Sequence, residues 1–140
     1  MKSNPDLISV LLLDSESPFG PDCVRQQRLR PFDQSRIFWM IQLMESWFLA
    51  DPDALARYYT KDFRKDALRG NPRIEEIPKV EVEAKLKQAT RETGKGRYHK
   101  TDHAPGILAL LDPDRARHAS PACNRLFDEL LEMLKPVGDE

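Results

Sequence analysis

The chain has 140 residues, of which 32% are charged, and its formal net charge at pH 7 is −1. This length predicts one domain with its own core, and the composition excludes an intrinsically disordered chain. A net charge near zero also excludes a globally basic nucleic-acid binder, although a local basic patch is compatible with it. The two cysteines, Cys23 and Cys123, lack metal-type spacing and predict a reduced, cytoplasmic protein.

The N-terminal segment lacks the basic region, long apolar run and cleavage site of a signal peptide. Residues 7–13 are almost continuously apolar and predict a first strand, buried on both faces of a sheet. Asp14 and Glu16 follow the end of this strand, where ligands usually bind in open α/β sheets. In continued strand geometry their carboxylates would share one face and suit a magnesium ion. The alternative is a solvated turn.

The densest apolar run comes next and is too short to span a membrane. Residues 36–42 predict a second buried strand, and residues 43–50 predict a short helix. Glu45 lies in this run, and a carboxylate there is costly to bury unless it is paired, protonated or bound to a cation. Two interpretations are open: Glu45 points outward and pairs with Arg36 or Arg57, or it is a third metal ligand.

The remaining elements are mainly helical. Residues 17–35 contain three prolines and predict a long loop with at most one helical turn. Two strands are too few for a self-sufficient parallel sheet. Either residues 61–77 contain further strands, or the N-terminal part of a larger sheet is missing, and we favour the second interpretation. Helices are predicted from Asp51-Pro52, over 79–91, near 106–111, from Asp112-Pro113 and from Ser120-Pro121, the last with one apolar stripe that includes Leu126, Leu131 and Leu134.

Residues 85–103 hold six lysines and arginines against two acids. A phosphodiester enzyme needs cations that contact the phosphates, close to carboxylates that hold a metal. The alternative is that these residues form a solvated charged helix and loop. The loop from 93 to 101 lacks the spacing of a P-loop, and a zinc site is not expected because His99 and His103 have no evident third ligand. Either histidine is a candidate proton donor. The candidate phosphate or nucleic-acid contacts are Lys95, Arg97, His99, Lys100 and His103, and His99 and Lys100 are the candidate catalytic residues.

Four motifs occur in one order along most of the chain: LLLDSE at 11–16, MESWFLAD at 44–51, EIPK at 76–79 and KGRYHKTDH at 95–103. In these motifs the chain resembles the Toprim-like domain-of-unknown-function family 4276, whose members are often encoded beside AAA-type ATPases. The resemblance implies a Toprim-like, Rossmann-like α/β fold with a small, mostly parallel sheet flanked by helices. It further implies one domain over 1–140, with the sheet core in 1–60 and a mainly helical part in 61–140 that carries the basic loop 91–103.

Toprim-like domains hold magnesium for phosphodiester chemistry with a glutamate after a first strand and an acidic pair after a later strand. Asp14 and Glu16 match the later pair. The resemblance therefore implies an N-terminally truncated sheet, because the segment with the first glutamate would precede Met1. Either the gene product is truncated, or the protein has lost that acid.

These expectations combine into one hypothesis of function. The chain would be a magnesium-dependent, nuclease-like protein, or a truncated remnant of one, that acts with a partner AAA-type ATPase in defence against foreign DNA. Asp14, Glu16 and Glu45 would hold the metal. The alternative is a non-catalytic interaction subunit whose sheet is completed by a partner chain. The sequence leaves open the substrate (DNA, RNA or nucleotide) and the oligomeric state.

Overall fold

The computed structural model describes residues 9–20 and 22–135. Its fold is mixed α/β, with a small parallel sheet and mostly helices. Four 3-10 helices span Gln34–Arg36, Met44–Ala50, Lys65–Leu68 and Ile74–Glu76. The strands and α-helices are β1 (Leu11–Asp14), α1 (Val24–Arg28), β2 (Ile37–Met40), α2 (Pro52–Tyr59), α3 (Lys79–Thr90), α4 (Lys100–Leu110), α5 (Pro113–Ala119) and α6 (Pro121–Met133).

The two predicted strands form and pair in parallel, with Leu11 opposite Ile37 and Asp14 opposite Met40. Residues 7 and 8 of the predicted first strand lie outside the described residues. The prediction that this strand is buried on both faces is wrong, because Leu11 is 42% exposed and Leu12 is 39% exposed. Since neighbouring side chains of a strand point to opposite faces, β1 is open on both sides.

Residues 61–77 contain two 3-10 helices and no strand, so the hypothesis of hidden strands there is wrong. β2 differs from β1 in being covered on both faces. Phe38 belongs to the main core, which also holds side chains of α2, α3, α4 and α6. Ile37 and Trp39 point the other way into a smaller cluster.

Three helices begin at the predicted cap-plus-proline signals. The Asp51 side chain accepts a hydrogen bond from the Ala54 amide at the start of α2. In the same way, the Asp112 side chain accepts one from a backbone amide of α5, and the Ser120 side chain accepts one from a backbone amide of α6. These signals are local, because a cap satisfies an amide only two or three residues away. The apolar stripe predicted for α6 is confirmed in part: Leu126 is buried and Phe127, Leu130 and Met133 pack against the core, whereas Leu131 and Leu134 are exposed.

Helix α4 begins earlier than predicted. The sequence predicts a loop up to residue 101, but the helix starts at Lys100 because the His99 imidazole Nδ1 accepts a hydrogen bond from the Asp102 amide at 3.3 Å. Gly106 lets α4 lie close to α2, since a Cβ there would be 2.5 Å from Cε1 of Tyr58. Lys100 therefore lies on a helix and not in a loop.

Among the described residues, none of the helices has both the length and the apolar character that a membrane span requires.

Candidate functional site

The turns that follow the two strands are hydrogen-bonded to each other. The Gln42 amide donates to Oγ of Ser15 at 2.7 Å, and the Glu16 amide donates to the Gln42 carbonyl at 2.7 Å. Glu16 and Gln42 both have left-handed backbones, with φ of 61° and 69°. This conformation is unfavourable for residues with a Cβ, so the surrounding contacts hold it in place. The chain therefore turns sharply at the carboxyl ends of both strands.

Asp14 ends β1 and is tied to the segment after β2. Its Oδ1 accepts a hydrogen bond from the Met44 amide at 2.9 Å, at the start of the 3-10 helix Met44–Ala50. Burial raises the pKa of Asp14, and the negative charge of Glu45 adds to this effect, whereas Lys100 and the Met44 amide oppose it. The Glu45 carboxylate is therefore close enough to disfavour the charged form of Asp14.

Glu45 lies in the first turn of that 3-10 helix and is only 4% exposed. Its Oε2 accepts a hydrogen bond from the Tyr98 hydroxyl at 2.9 Å. Its Oε1 is buried and has no hydrogen-bond partner among the described residues. The interpretation that Glu45 points outward and pairs with Arg36 or Arg57 is therefore wrong.

Lys100 links the two acids. Its Nζ is 3.8 Å from Oδ2 of Asp14 and 3.9 Å from Oε1 of Glu45. Each carboxylate thus has one oxygen held by a hydrogen bond and the other directed at the same ammonium group. The structure brings Asp14 and Glu45 together around one cation position, which the lysine fills.

Glu16 does not join this pair. Its carboxylate forms an ion pair with Arg25 at 3.3 Å, and both side chains are nearly half exposed. β1 ends at Asp14 and Glu16 is left-handed, so the strand geometry that would align the two acids does not continue. Over residues 9–20 and 22–135, no three His, Cys, Asp or Glu side chains are grouped to hold a metal ion.

The pair nevertheless fits a hard divalent cation. Carboxylate oxygens are the ligands that magnesium prefers, and magnesium sites in proteins often use one or two carboxylates together with water and phosphate oxygens. Oε1 of Glu45 gives the strongest support for this fit, because it is buried without a hydrogen bond from the described residues and a buried carboxylate oxygen is costly to leave unsatisfied.

The two candidate histidines, His99 and His103, occupy different environments. His103 is 8% exposed, and its Nδ1 lies 3.0 Å from the Tyr59 hydroxyl and accepts a hydrogen bond from the His99 amide at 3.0 Å. Burial lowers the pKa of His103. Its ring packs against those of Tyr58 and Tyr98. His103 is thus part of the protein interior, whereas the His99 side chain is exposed at the start of α4.

The other basic candidates lie on the surface. Lys95 places its Nζ 5.0 Å from the centroid of the Tyr58 ring, a cation–π contact. Arg97 is exposed. Of the predicted phosphate contacts, Lys100 alone lies against the carboxylate pair.

Tyr98 has a role that the sequence does not predict. The amide of Tyr98 donates to Oγ1 of Thr90 at 2.7 Å, and its ring packs edge-on against Phe48. Its hydroxyl is thereby aimed at Glu45, a residue 53 positions away in sequence. Burial and the charge of Glu45 raise the pKa of Tyr98, so the hydroxyl remains a donor. No spacing rule connects the two residues.

Fold and site together define a small α/β protein that has a largely buried carboxylate pair at the carboxyl ends of two parallel strands. The family model described as Domain of unknown function (DUF4276) matches residues 2–131, so the chain belongs to that family. No curated protein and no solved structure matched the chain. The family expected from the four motifs is confirmed, and its Toprim-like character stays a prediction.

Proposed function

We propose that this chain is a Toprim-like, magnesium-dependent protein that acts on phosphodiesters, with Asp14 and Glu45 as its metal ligands. The observation that carries the proposal is that one oxygen of each acid, the one not held by a hydrogen bond, faces a single cation position. Bound there, magnesium would polarise a phosphoryl oxygen and offset its negative charge. Glu16 would first have to leave Arg25, so we propose two protein ligands rather than three.

The surface cations complete the proposed site. Lys95, Arg97 and Lys100 would bind phosphate oxygens, because they are exposed and belong to the segment that leads into α4. His99 would supply or accept a proton, since its imidazole is exposed. We exclude His103 from phosphate contact because it is buried and its Nδ1 is already hydrogen-bonded.

We also propose that the substrate is nucleic acid and that the protein works with an AAA-type ATPase in defence against foreign DNA. The support is the resemblance to a family whose members are often encoded beside such ATPases. The basic segment before α4 adds support, because phosphate contacts provide much of the affinity for nucleic acid.

Isothermal titration calorimetry with magnesium tests the metal site. We expect the wild-type protein to bind magnesium and Asp14→Ala to lose measurable binding, since half of the ligand set is removed. Glu83→Ala is the matched control, because Glu83 is an exposed carboxylate on α3. Equal magnesium affinity in the wild type and Asp14→Ala would end the proposal.

A second candidate function is a non-catalytic interaction subunit, and the exposure of β1 favours it. Among the described residues β1 pairs only with β2. Leu11 and Leu12 of β1 are exposed, and so is Val10 just before it. An open strand edge is a ready template for a strand from another chain. Leu12→Lys should then abolish co-purification with the neighbouring ATPase. Leu108→Lys on α4, where the leucine is equally exposed, should not. Unchanged co-purification of the Leu12→Lys protein would refute this candidate.

A further inference from the structure

Lys100 occupies the position at which a divalent cation would meet Asp14 and Glu45. We infer that Lys100 is a built-in competitor for the metal, which its ammonium group must leave before a divalent cation binds. This inference rests on the proposed function, because it concerns the same two carboxylates.

The distances show that the Lys100 ammonium contacts the two acids through charge and not through hydrogen bonds. Its Nζ lies 3.8 Å and 3.9 Å from the two carboxylate oxygens, beyond the usual range of a hydrogen bond. The Lys100 side chain is 60% exposed, whereas the side chains of Asp14 and Glu45 are largely buried. Exposed ion pairs of lysine are weak, and its flexible stem lets the ammonium move into water. Departure of the lysine therefore breaks no hydrogen bond within the site.

The two acids, in contrast, are fixed. The Met44 amide holds Asp14, and the Tyr98 hydroxyl holds Glu45. Both contacts use the oxygen that does not face Lys100. A cation that replaces the ammonium would therefore break neither of these hydrogen bonds, which is the condition for direct competition.

Competition also gives Lys100 a second role. An ammonium group and a divalent cation repel each other at one position, so metal binding would drive the lysine outward. The released ammonium would remain on the first turn of α4, close to the metal and open to solvent. It could then bind an anion such as a phosphate. Metal and anion would support each other's binding, because such coupling is reciprocal.

Calorimetric titration of magnesium into Lys100→Met tests the inference. Methionine keeps the length and the helix propensity of the side chain but lacks the charge. If the ammonium fills the site about nine-tenths of the time, its loss should tighten magnesium binding about tenfold. Lys87→Met is the matched control, since Lys87 is an exposed lysine on α3 that has no part in the proposed site, and its affinity should stay within about twofold of wild type.

Two further variants serve as controls. Lys100→Gln also lacks the charge, so it should show the tighter binding even if the methionine variant folds poorly. The double variant Lys100→Met/Asp14→Ala should lose the gain, which would assign it to this site. In thermal unfolding, metal-free Lys100→Met should melt at a lower temperature than wild type, because it leaves two carboxylates without their counter-ion. Magnesium should raise the melting temperature of the variant more than that of the wild type.

The outcomes separate the inference from the proposed function. If the wild type binds magnesium and loss of Lys100 does not tighten that binding, the inference is overturned, whereas the proposed metal site is retained. Binding by Lys100→Met but not by wild type would support the inference and contradict a magnesium-dependent activity of the wild type. Absence of magnesium binding in every variant would overturn both.

Discussion

Removal of the Tyr98 hydroxyl gives a quantitative test of how Glu45 is held. In Tyr98→Phe the buried Glu45 carboxylate would keep no hydrogen bond from the described residues, because Oε1 already lacks one. A hydrogen bond to a charged group contributes about 1.5–3 kcal/mol to stability. We therefore expect Tyr98→Phe to lower the unfolding free energy by about 2 kcal/mol. For a domain of this size the melting temperature should fall by roughly 5–10 °C.

Calorimetric or circular-dichroism melting at neutral pH measures this loss. Tyr58→Phe is the matched control, since no hydrogen bond of the Tyr58 hydroxyl is found in residues 9–20 and 22–135. The Tyr58 ring still packs on Tyr59 when the hydroxyl is removed. The control should change stability by less than about 0.5 kcal/mol. Equal stability of the two variants would refute the role given to the Tyr98 hydroxyl.

Two further predictions concern stability. Burial raises the pKa of Asp14 above its ordinary value of 3.8, so its stabilising contribution is complete below that value and is lost as the pH rises through the folded-state pKa. The unfolding free energy of Asp14→Asn relative to wild type, measured by urea titration in metal-free buffer, should therefore increase from acidic to neutral pH, and a flat difference would contradict it. Gly106→Ala should destabilise the fold by up to about 2 kcal/mol, because contact with Tyr58 costs roughly 1–3 kcal/mol and helix propensity offsets about 1 kcal/mol. Gly94→Ala, at which a Cβ meets nothing within 4 Å, should be neutral, and equal effects of the two substitutions would contradict the close approach.

The sequence predicts those elements whose signals are local. Asp51-Pro52 and Ser120-Pro121 start helices because each cap and its proline act within one helical turn. β2 is also predicted, since a run of β-branched and aromatic residues suits a buried strand wherever its neighbours lie.

The remaining differences arise from contacts that no local pattern encodes. The start of α4 depends on the His99 side chain, which is outside the usual set of capping residues. The exposure of Leu11 and Leu12 depends on what packs beside β1, and an apolar run alone carries no information about that. The left-handed turn at Glu16 is stabilised by Gln42, which follows the other strand.

The candidate site shows the same division. The sequence groups Asp14 with Glu16 because they are close in the chain. The structure groups Asp14 with Glu45 because parallel strands end at one edge of the sheet and the following turns interlock. The sequence makes Glu45 a candidate because it is a charged residue within an apolar run. Burial of such a residue is costly, so its presence there indicates a site that satisfies the charge. The hydroxyl that holds Glu45 could not be assigned, since the contact joins a 3-10 helix to a loop 53 residues away in sequence.

The most direct test of the shared cation position is a crystal structure of the protein soaked in manganese, with anomalous scattering recorded at the manganese edge. Manganese prefers the same oxygen ligands as magnesium. The account predicts one ion bound to Oδ2 of Asp14 and Oε1 of Glu45, with the Lys100 side chain displaced into solvent. An ammonium group that stays between the two carboxylates, with no ion beside them, would contradict it.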